Sequence, residues 1–159
     1  LVHGVLERIR DESEVEELLD VVIGAVDAED VAEELGRDTE LRQAIEAEIR
    51  RVVTSEEWKW YVEGPHWREL TFVQFRSPRR WRVGAMDLLK QNGQKPLIVD
   101  FKTQEITAGA ASAEAAKYRL QALTYRAVCE RLIAGSPDVH FHFTGPGAVI
   151  PWQEADRSS

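Results

Sequence analysis

Apolar residues recur at helical spacing through the first third of the chain and at strand spacing beyond it. Val5, Leu6 and Ile9 share one helical face, and Val15, Leu18, Leu19 and Val22 share another. Asp27 can cap a short helix through Leu35, with Gly36 as its stop. Asp38 then opens a helix carrying Leu41, Ile45, Ile49, Val52 and Val53. Thr54, with Glu57 three residues on, forms a capping box for one or two further turns. The Glu and Asp residues between these positions read as solvated helix faces. No heptad persists long enough for a coiled coil, and no internal repeat occurs.

From Trp67 the period becomes two. Leu70 and Phe72, then Phe75, alternate with Glu69, Thr71 and Gln74, which predicts a strand. Ser77-Pro78 marks a turn, and Trp81 to Leu89 reads as a second strand. Asn92-Gly93 is a hairpin turn signal, and Leu97 to Lys102, rich in β-branched residues, is a third strand. A small-residue loop over Gly109–Ser112 leads into one long helix, opened by Ser112 and Glu114. It runs to about Ala134 and stops at Gly135-Ser136-Pro137. Val139 to Phe143 alternates as a last strand, and residues 154–159 form a loose polar tail. The expected organisation is a single domain over 1–153, with a helical part over 1–62 and a strand-rich core over 66–153.

Composition sharpens this picture. The 159 residues suit one domain with its own core. Hydrophobic residues at 43% and charged residues at 30% read as soluble and globular. No apolar run approaches a membrane span, so no membrane partner is expected. The charged residues Glu7, Arg8, Arg10 and Asp11 exclude a signal peptide at the start. A single cysteine, Cys129, excludes an internal disulfide, a zinc knuckle and a cysteine-held iron–sulfur cluster, and points to a reducing cytoplasm. The net charge of −8 argues against nucleic acid until it is divided. Residues 1–57 hold 6 Lys/Arg against 18 Asp/Glu, net −12, whereas residues 58–159 hold 14 against 10, net +4. The acidity is local to the helical part.

The chemistry lies in the strands. Asp100 and Lys102 are two apart on one strand and share a face. Antiparallel pairing across Asn92-Gly93 brings Asp87 beside Asp100. Two carboxylates held together repel unless a cation lies between them, and all-oxygen ligation suits Mg²⁺, with Mn²⁺ as a substitute. The backbone carbonyl of Phe101 is a further ligand candidate, its ring turning to the opposite, core face. Lys102 beside such a site can position water or stabilise the charge developing on a phosphate. This is an arrangement for phosphodiester hydrolysis.

Three segments carry a resemblance: Gly84-Ala85-Met86-Asp87-Leu88, Ile98-Val99-Asp100-Phe101-Lys102-Thr103, and Tyr118-Arg119-Leu120-Gln121-Ala122-Leu123-Thr124-Tyr125. Together they resemble the PD-(D/E)XK nuclease superfamily and, within it, the nuclease domain of RecB/AddA-type helicase–nucleases. Leu1-Val2-His3-Gly4-Val5-Leu6-Glu7 resembles the histidine motif of those domains. The resemblance implies a mixed α/β, restriction-endonuclease-like fold, an αβββαβ core whose central mixed sheet is flanked by helices, preceded by a helical segment. It makes His3, Asp87 and Asp100 metal ligands and Lys102 the catalytic lysine. Gln121 and Tyr125, four apart on one helix face, are implied to hold Lys102 and the DNA backbone, and Glu69 matches a position on the first strand. Many relatives carry four cysteines around an iron–sulfur cluster. With Cys129 alone this chain resembles the cluster-free branch.

By itself Asp100-Phe101-Lys102 reads as a surface ion pair at a strand edge; Asp87, Gln121 and Tyr125 turn the reading to catalysis. Arg76, Arg79, Arg80 and Arg82 with Trp81 read either as an exposed hairpin tip or as a DNA-contacting patch with a stacking ring. Trp58, Trp60 and Trp67 read as packing residues, Tyr118 likewise, and Cys129 as a buried small hydrophobe. His140 and His142 share a strand face without a carboxylate or cysteine at ligand spacing, so they read as structural or exposed. The expected function is a Mg²⁺-dependent deoxyribonuclease, exonucleolytic on single-stranded ends, in recombination and repair. No G-x-x-x-x-G-K-[S/T] motif occurs, so ATP enters only through a helicase neighbour in the same polypeptide or complex. Because the sequence opens inside the histidine motif, a C-terminal domain of a longer enzyme is expected. The rivals are a stand-alone nuclease of the same superfamily and a non-catalytic DNA-binding or scaffolding domain of the same shape.

Overall fold

The computed structural model describes residues 1–25, 38–77, 79–91, 93, 95–133 and 135–153, with Phe75 and Arg76 described as backbone only. The expected helix from Asp27 to Leu35 and the tail over 154–159 lie outside the described residues. The chain divides into two compact units, Leu1–Val62 and Glu63–Ser159.

The first unit is helical: α1 (Val2–Leu6), a 3₁₀ turn (Glu12–Glu14), α2 (Val15–Gly24), α3 (Thr39–Thr54) and α4 (Glu56–Val62). The apolar spacing is used as expected, with Val5, Leu6, Ile9, Val15, Leu19, Ile49 and Val52 all buried. Asp38 caps α3, accepting the Leu41 N–H at 2.9 Å. The break before α4 differs from the expected capping box. Ser55, not Thr54, accepts the Trp58 N–H, at 3.1 Å, while the Thr54 hydroxyl donates back to the Arg50 carbonyl at 2.7 Å. Of two adjacent hydroxyls, the one in extended backbone (Ser55, ψ 152°) is free to cap α4.

The second unit is a five-stranded mixed sheet in the order β1-β2-β3-β4-β5, with β1 (His66–Ser77), β2 (Arg80–Lys90), β3 (Leu97–Lys102), β4 (Asp138–Phe143) and β5 (Ala148–Trp152). All neighbours are antiparallel except β3 and β4. That parallel pair needs a crossover, and α5 (Ala111–Lys117) with α6 (Arg119–Leu132) supplies it. The single long helix expected over 112–134 is thus two, broken at Tyr118 (φ −88°, ψ 13°), and α5 begins without a side-chain cap. Strand β5 is an addition to the strands the sequence predicts.

Met86, Ile98, Ala122, Tyr125, Phe141 and Phe143 form the centre of one buried cluster between the sheet and α6. Each large apolar side chain buried there contributes roughly 1.5–3 kcal/mol. Ile98, Asp100 and Lys102 alternate along β3, so the face that builds this cluster also carries the ionisable pair. Leu88, Val99 and Phe101 occupy alternate positions and are also buried, Phe101 with its ring centroid 5.6 Å from that of His142.

Candidate active site

The site forms where the β2–β3 ladder ends. Its last pair is Leu88↔Val99, and the next register position sets Asp87 against Asp100. In place of a further ladder bond, Asp87 Oδ2 accepts the Phe101 N–H at 2.7 Å. A side chain therefore closes the strand pair, leaving two carboxylates at its mouth.

Glu69 meets the same place from β1. The pairs Arg68↔Leu88 and Leu70↔Met86 bracket it, so Glu69 stands opposite Asp87. A carboxylate oxygen of each lies within 4.8 Å of the other. Glu69 has φ +49°, the only positive φ on a non-glycine residue among the described residues. Left-handed backbone costs a residue with a Cβ roughly 1–2 kcal/mol, and such strain concentrates at functional positions. Strand alternation resets here as well: Met86 and Leu89, three apart, both face the core cluster.

Asp100 is the centre of the network and is almost wholly buried. Its Oδ2 pairs with Lys102 Nζ at 2.5 Å, and its Oδ1 accepts from Gln121 Nε2 at 2.8 Å and Tyr125 OH at 2.7 Å. Burial first, and the nearby Asp87 charge second, raise its carboxyl above the usual carboxylate range, against the opposing pull of Lys102. Gln121 Oε1 accepts from Lys102 Nζ at 3.0 Å while its Nε2 also donates to Tyr125 OH at 2.7 Å. An amide placed between a cation and a carboxylate has one workable orientation, oxygen toward the ammonium and NH₂ toward the acid. Burial and the Asp100 charge drive the Tyr125 phenol far above its ordinary pKa, so it stays a neutral hydroxyl.

Tyr125 is held from behind. Its ring meets Phe72 edge-on, centroids 6.1 Å apart, and Phe72 lies over Gly84 on the neighbouring strand. A Cβ on Gly84 would stand 2.7 Å from Phe72 Cζ. Gly84→Ala should therefore push Phe72 into Tyr125 and destabilise the protein by about 1–3 kcal/mol, the usual cost of overpacking. Thermal unfolding checks this, and an unchanged melting temperature would show that Phe72 has room to move.

Six of the residues singled out in the sequence, Glu69, Asp87, Asp100, Lys102, Gln121 and Tyr125, converge within the second unit, with the Phe101 backbone N–H among them. His3 lies on α1 of the first unit, its Nδ1 2.8 Å from Glu7 Oε1. Arg79, Arg80, Trp81 and Arg82 form the exposed β1–β2 hairpin tip, and Arg76 lies on β1. Tyr118 is more than the packing residue the sequence suggests. Its ring packs on Phe141 at 5.4 Å, and it also lies 4.0 Å from Lys102 Nζ. Cys129 and His142 are buried and His140 is half-buried. Burial raises the Cys129 thiol to about 11 and lowers His140 below its ordinary value.

Glu69 and Asp87 carry carboxylate oxygens within 4.8 Å of each other, and Asp87 stands against the buried Asp100; such carboxylates repel without a cation, so these donors fit a hard divalent ion. Glu69, Asp87 and Asp100 are the residues of the second unit that could hold it. The model of the PD-(D/E)XK nuclease superfamily matches residues 1–154, and the chain belongs to that superfamily. No curated protein matches the chain. Membership carries a metal-dependent nuclease fold, with nucleic acid as the ligand it implies. Among the described residues, no helix is long and apolar enough to cross a membrane.

Proposed function

We propose that this chain hydrolyses phosphodiester bonds in DNA with Mg²⁺, which Mn²⁺ can replace. It works on single-stranded ends, exonucleolytically, as the nuclease domain of a helicase–nuclease in cytoplasmic recombination and repair. The helicase belongs to the same polypeptide or complex and is the only point at which ATP enters. The family match over both units supports treating 1–153 as one nuclease domain. The observation that carries the reading is the closed network of Asp87, Asp100, Lys102, Gln121 and Tyr125.

In this reading Glu69, Asp87, Asp100 and the Phe101 carbonyl are the ligands from the second unit. His3 takes the ligand role implied by its motif. A bound divalent ion supplies Lewis-acid polarisation of the phosphate and a lowered pKa for water. The protein's own part is positioning. Asp100 and Gln121 fix the Lys102 ammonium, which stabilises charge developing on the phosphate oxygens. Tyr125 and Gln121 fix the orientation of the Asp100 carboxylate, which would be one of the ligands of a bound ion. The test is digestion of end-labelled single-stranded DNA in Mg²⁺, Mn²⁺ and EDTA. Label that stays intact in both metals overturns the reading.

The hairpin tip is the proposed strand grip: Arg79, Arg80 and Arg82 meet phosphates, and Trp81, 64% exposed, offers a ring for stacking. Replacing all three arginines by alanine should weaken single-strand binding. It should also lower the slope of log K against log salt by about 2, since each phosphate contact contributes roughly 0.7. Filter binding across a salt series measures this. An unchanged slope returns the arginines to the role of a solvated hairpin tip.

A further inference from the structure

We infer that Tyr118 is a positioning residue whose aromatic face seats the Lys102 ammonium. The inference rests on the proposed role of Lys102 but on a separate set of contacts. Lys102 Nζ stands 4.0 Å from the Tyr118 ring centroid and 5.7 Å from that of Phe141. The two rings pack at 39°, centroids 5.4 Å apart, so Phe141, fully buried on β4, backs the seat. The Tyr118 hydroxyl donates to Gln104 Oε1 at 2.6 Å, tying the ring to the segment that leaves β3. Gln104 in turn hydrogen-bonds Glu114 on α5.

These contacts complete a cage. Asp100 holds the ammonium by an ion pair and Gln121 by a hydrogen bond, and the π face adds a third contact. Attraction of a desolvated cation to an aromatic face is substantial, and Lys102 is only 14% exposed. A ring makes the third contact without accepting a proton in a directed bond. It restrains the four-carbon stem and leaves a donor for the phosphate. The helix break falls on this residue. Tyr118 N–H bonds back to Ala115 and its carbonyl starts α6, so the ring that touches Lys102 sits on the hinge residue between two helices.

The test compares Tyr118→Phe, which keeps the ring, with Tyr118→Leu, which keeps apolar bulk alone. Tyr118→Phe should retain kcat within about twofold. Tyr118→Leu should lose about tenfold in kcat with KM little changed, as expected for a cation–π contact made at a desolvated site. Carbon-13 labelling of lysine supplies a readout independent of cleavage. Ring current should move the Lys102 ε-methylene protons upfield in wild type and in Tyr118→Phe, and not in Tyr118→Leu, with the signal assigned by Lys102→Arg. Equal loss of kcat in both variants, full activity in Tyr118→Leu, or unshifted wild-type ε-methylene protons would overturn the inference. If Tyr118→Leu fails to fold, Tyr118→Met takes its place in both arms. A wild-type protein that shows the upfield shift and cuts no DNA would instead sink the proposed nuclease activity while leaving the seat intact.

Discussion

Asp100→Asn should leave a folded protein that cuts single-stranded DNA about 10³-fold more slowly, or not at all. The asparagine oxygen can still accept from Gln121 and Tyr125, so the helix side of the network survives. Two things are lost together: the charged ligand of the proposed cation site and the counter-charge of Lys102. Two opposing effects govern stability. Removing a buried carboxylate relieves its desolvation and its repulsion by Asp87, while Lys102 loses its partner. With the effects nearly balanced, the melting temperature should stay within about 4 °C, the size of a 1 kcal/mol change in a chain this long. Loss of activity at constant stability separates chemistry from scaffold. End-labelled DNA in Mg²⁺ and Mn²⁺, with EDTA and Asp100→Ala alongside, reads the rate. Cutting by Asp100→Asn at the wild-type rate would remove Asp100 from the mechanism.

Asp87→Asn should abolish measurable Mg²⁺ binding while keeping the strand end closed. The wild-type carboxylate accepts the Phe101 N–H and, in the proposed site, also contributes charge to the cation. Asparagine retains the first role and loses the second. Even a partner one shell removed from a metal is worth about 10–100-fold in affinity, so a direct ligand should cost at least the upper figure. Titration calorimetry with MgCl₂ reads the affinity, and the amide resonance of Phe101 reports whether the backbone bond persists. Retained affinity with an unmoved Phe101 amide would remove Asp87 from the ligand set. Without the Asp87 charge, the Asp100 carboxyl should also shift down toward the ordinary carboxylate range.

Much of this site was legible because short-range rules control it. A run such as Leu97-Ile98-Val99 admits little but a buried strand. The turn signal at Gly93 (φ +56°) announces an antiparallel pair, but a two-residue turn there would set Asp87 against Ile98; the longer connection over 91–96 shifts the register by two and sets Asp87 against Asp100. The four-residue step from Gln121 to Tyr125 settles their shared face once α6 exists. Other features escaped because tertiary contacts decide them. Nothing in the alanine-rich stretch 111–117 or in 119–132 breaks a helix locally. The break at Tyr118 coincides with the ring's contacts to Lys102, Phe141 and Gln104. Strand β5 contains Pro151, which demotes a strand pattern, and the edge of the sheet is where a residue without an N–H is tolerated. The left-handed φ of Glu69 has no local signal either, since that backbone favours glycine, asparagine or aspartate and not glutamate.

That φ also bears on descent. Backbone geometry at position 69 favours glycine or asparagine, whereas the carboxylate beside Asp87 requires an acid. In the proposed site the two demands conflict, since glycine at position 69 would relieve the backbone and remove a ligand. On that reading a copy of this domain released from cutting DNA would gain stability by a change to glycine there, with its fold intact. Position 69 is where the proposal expects loss of activity to show early.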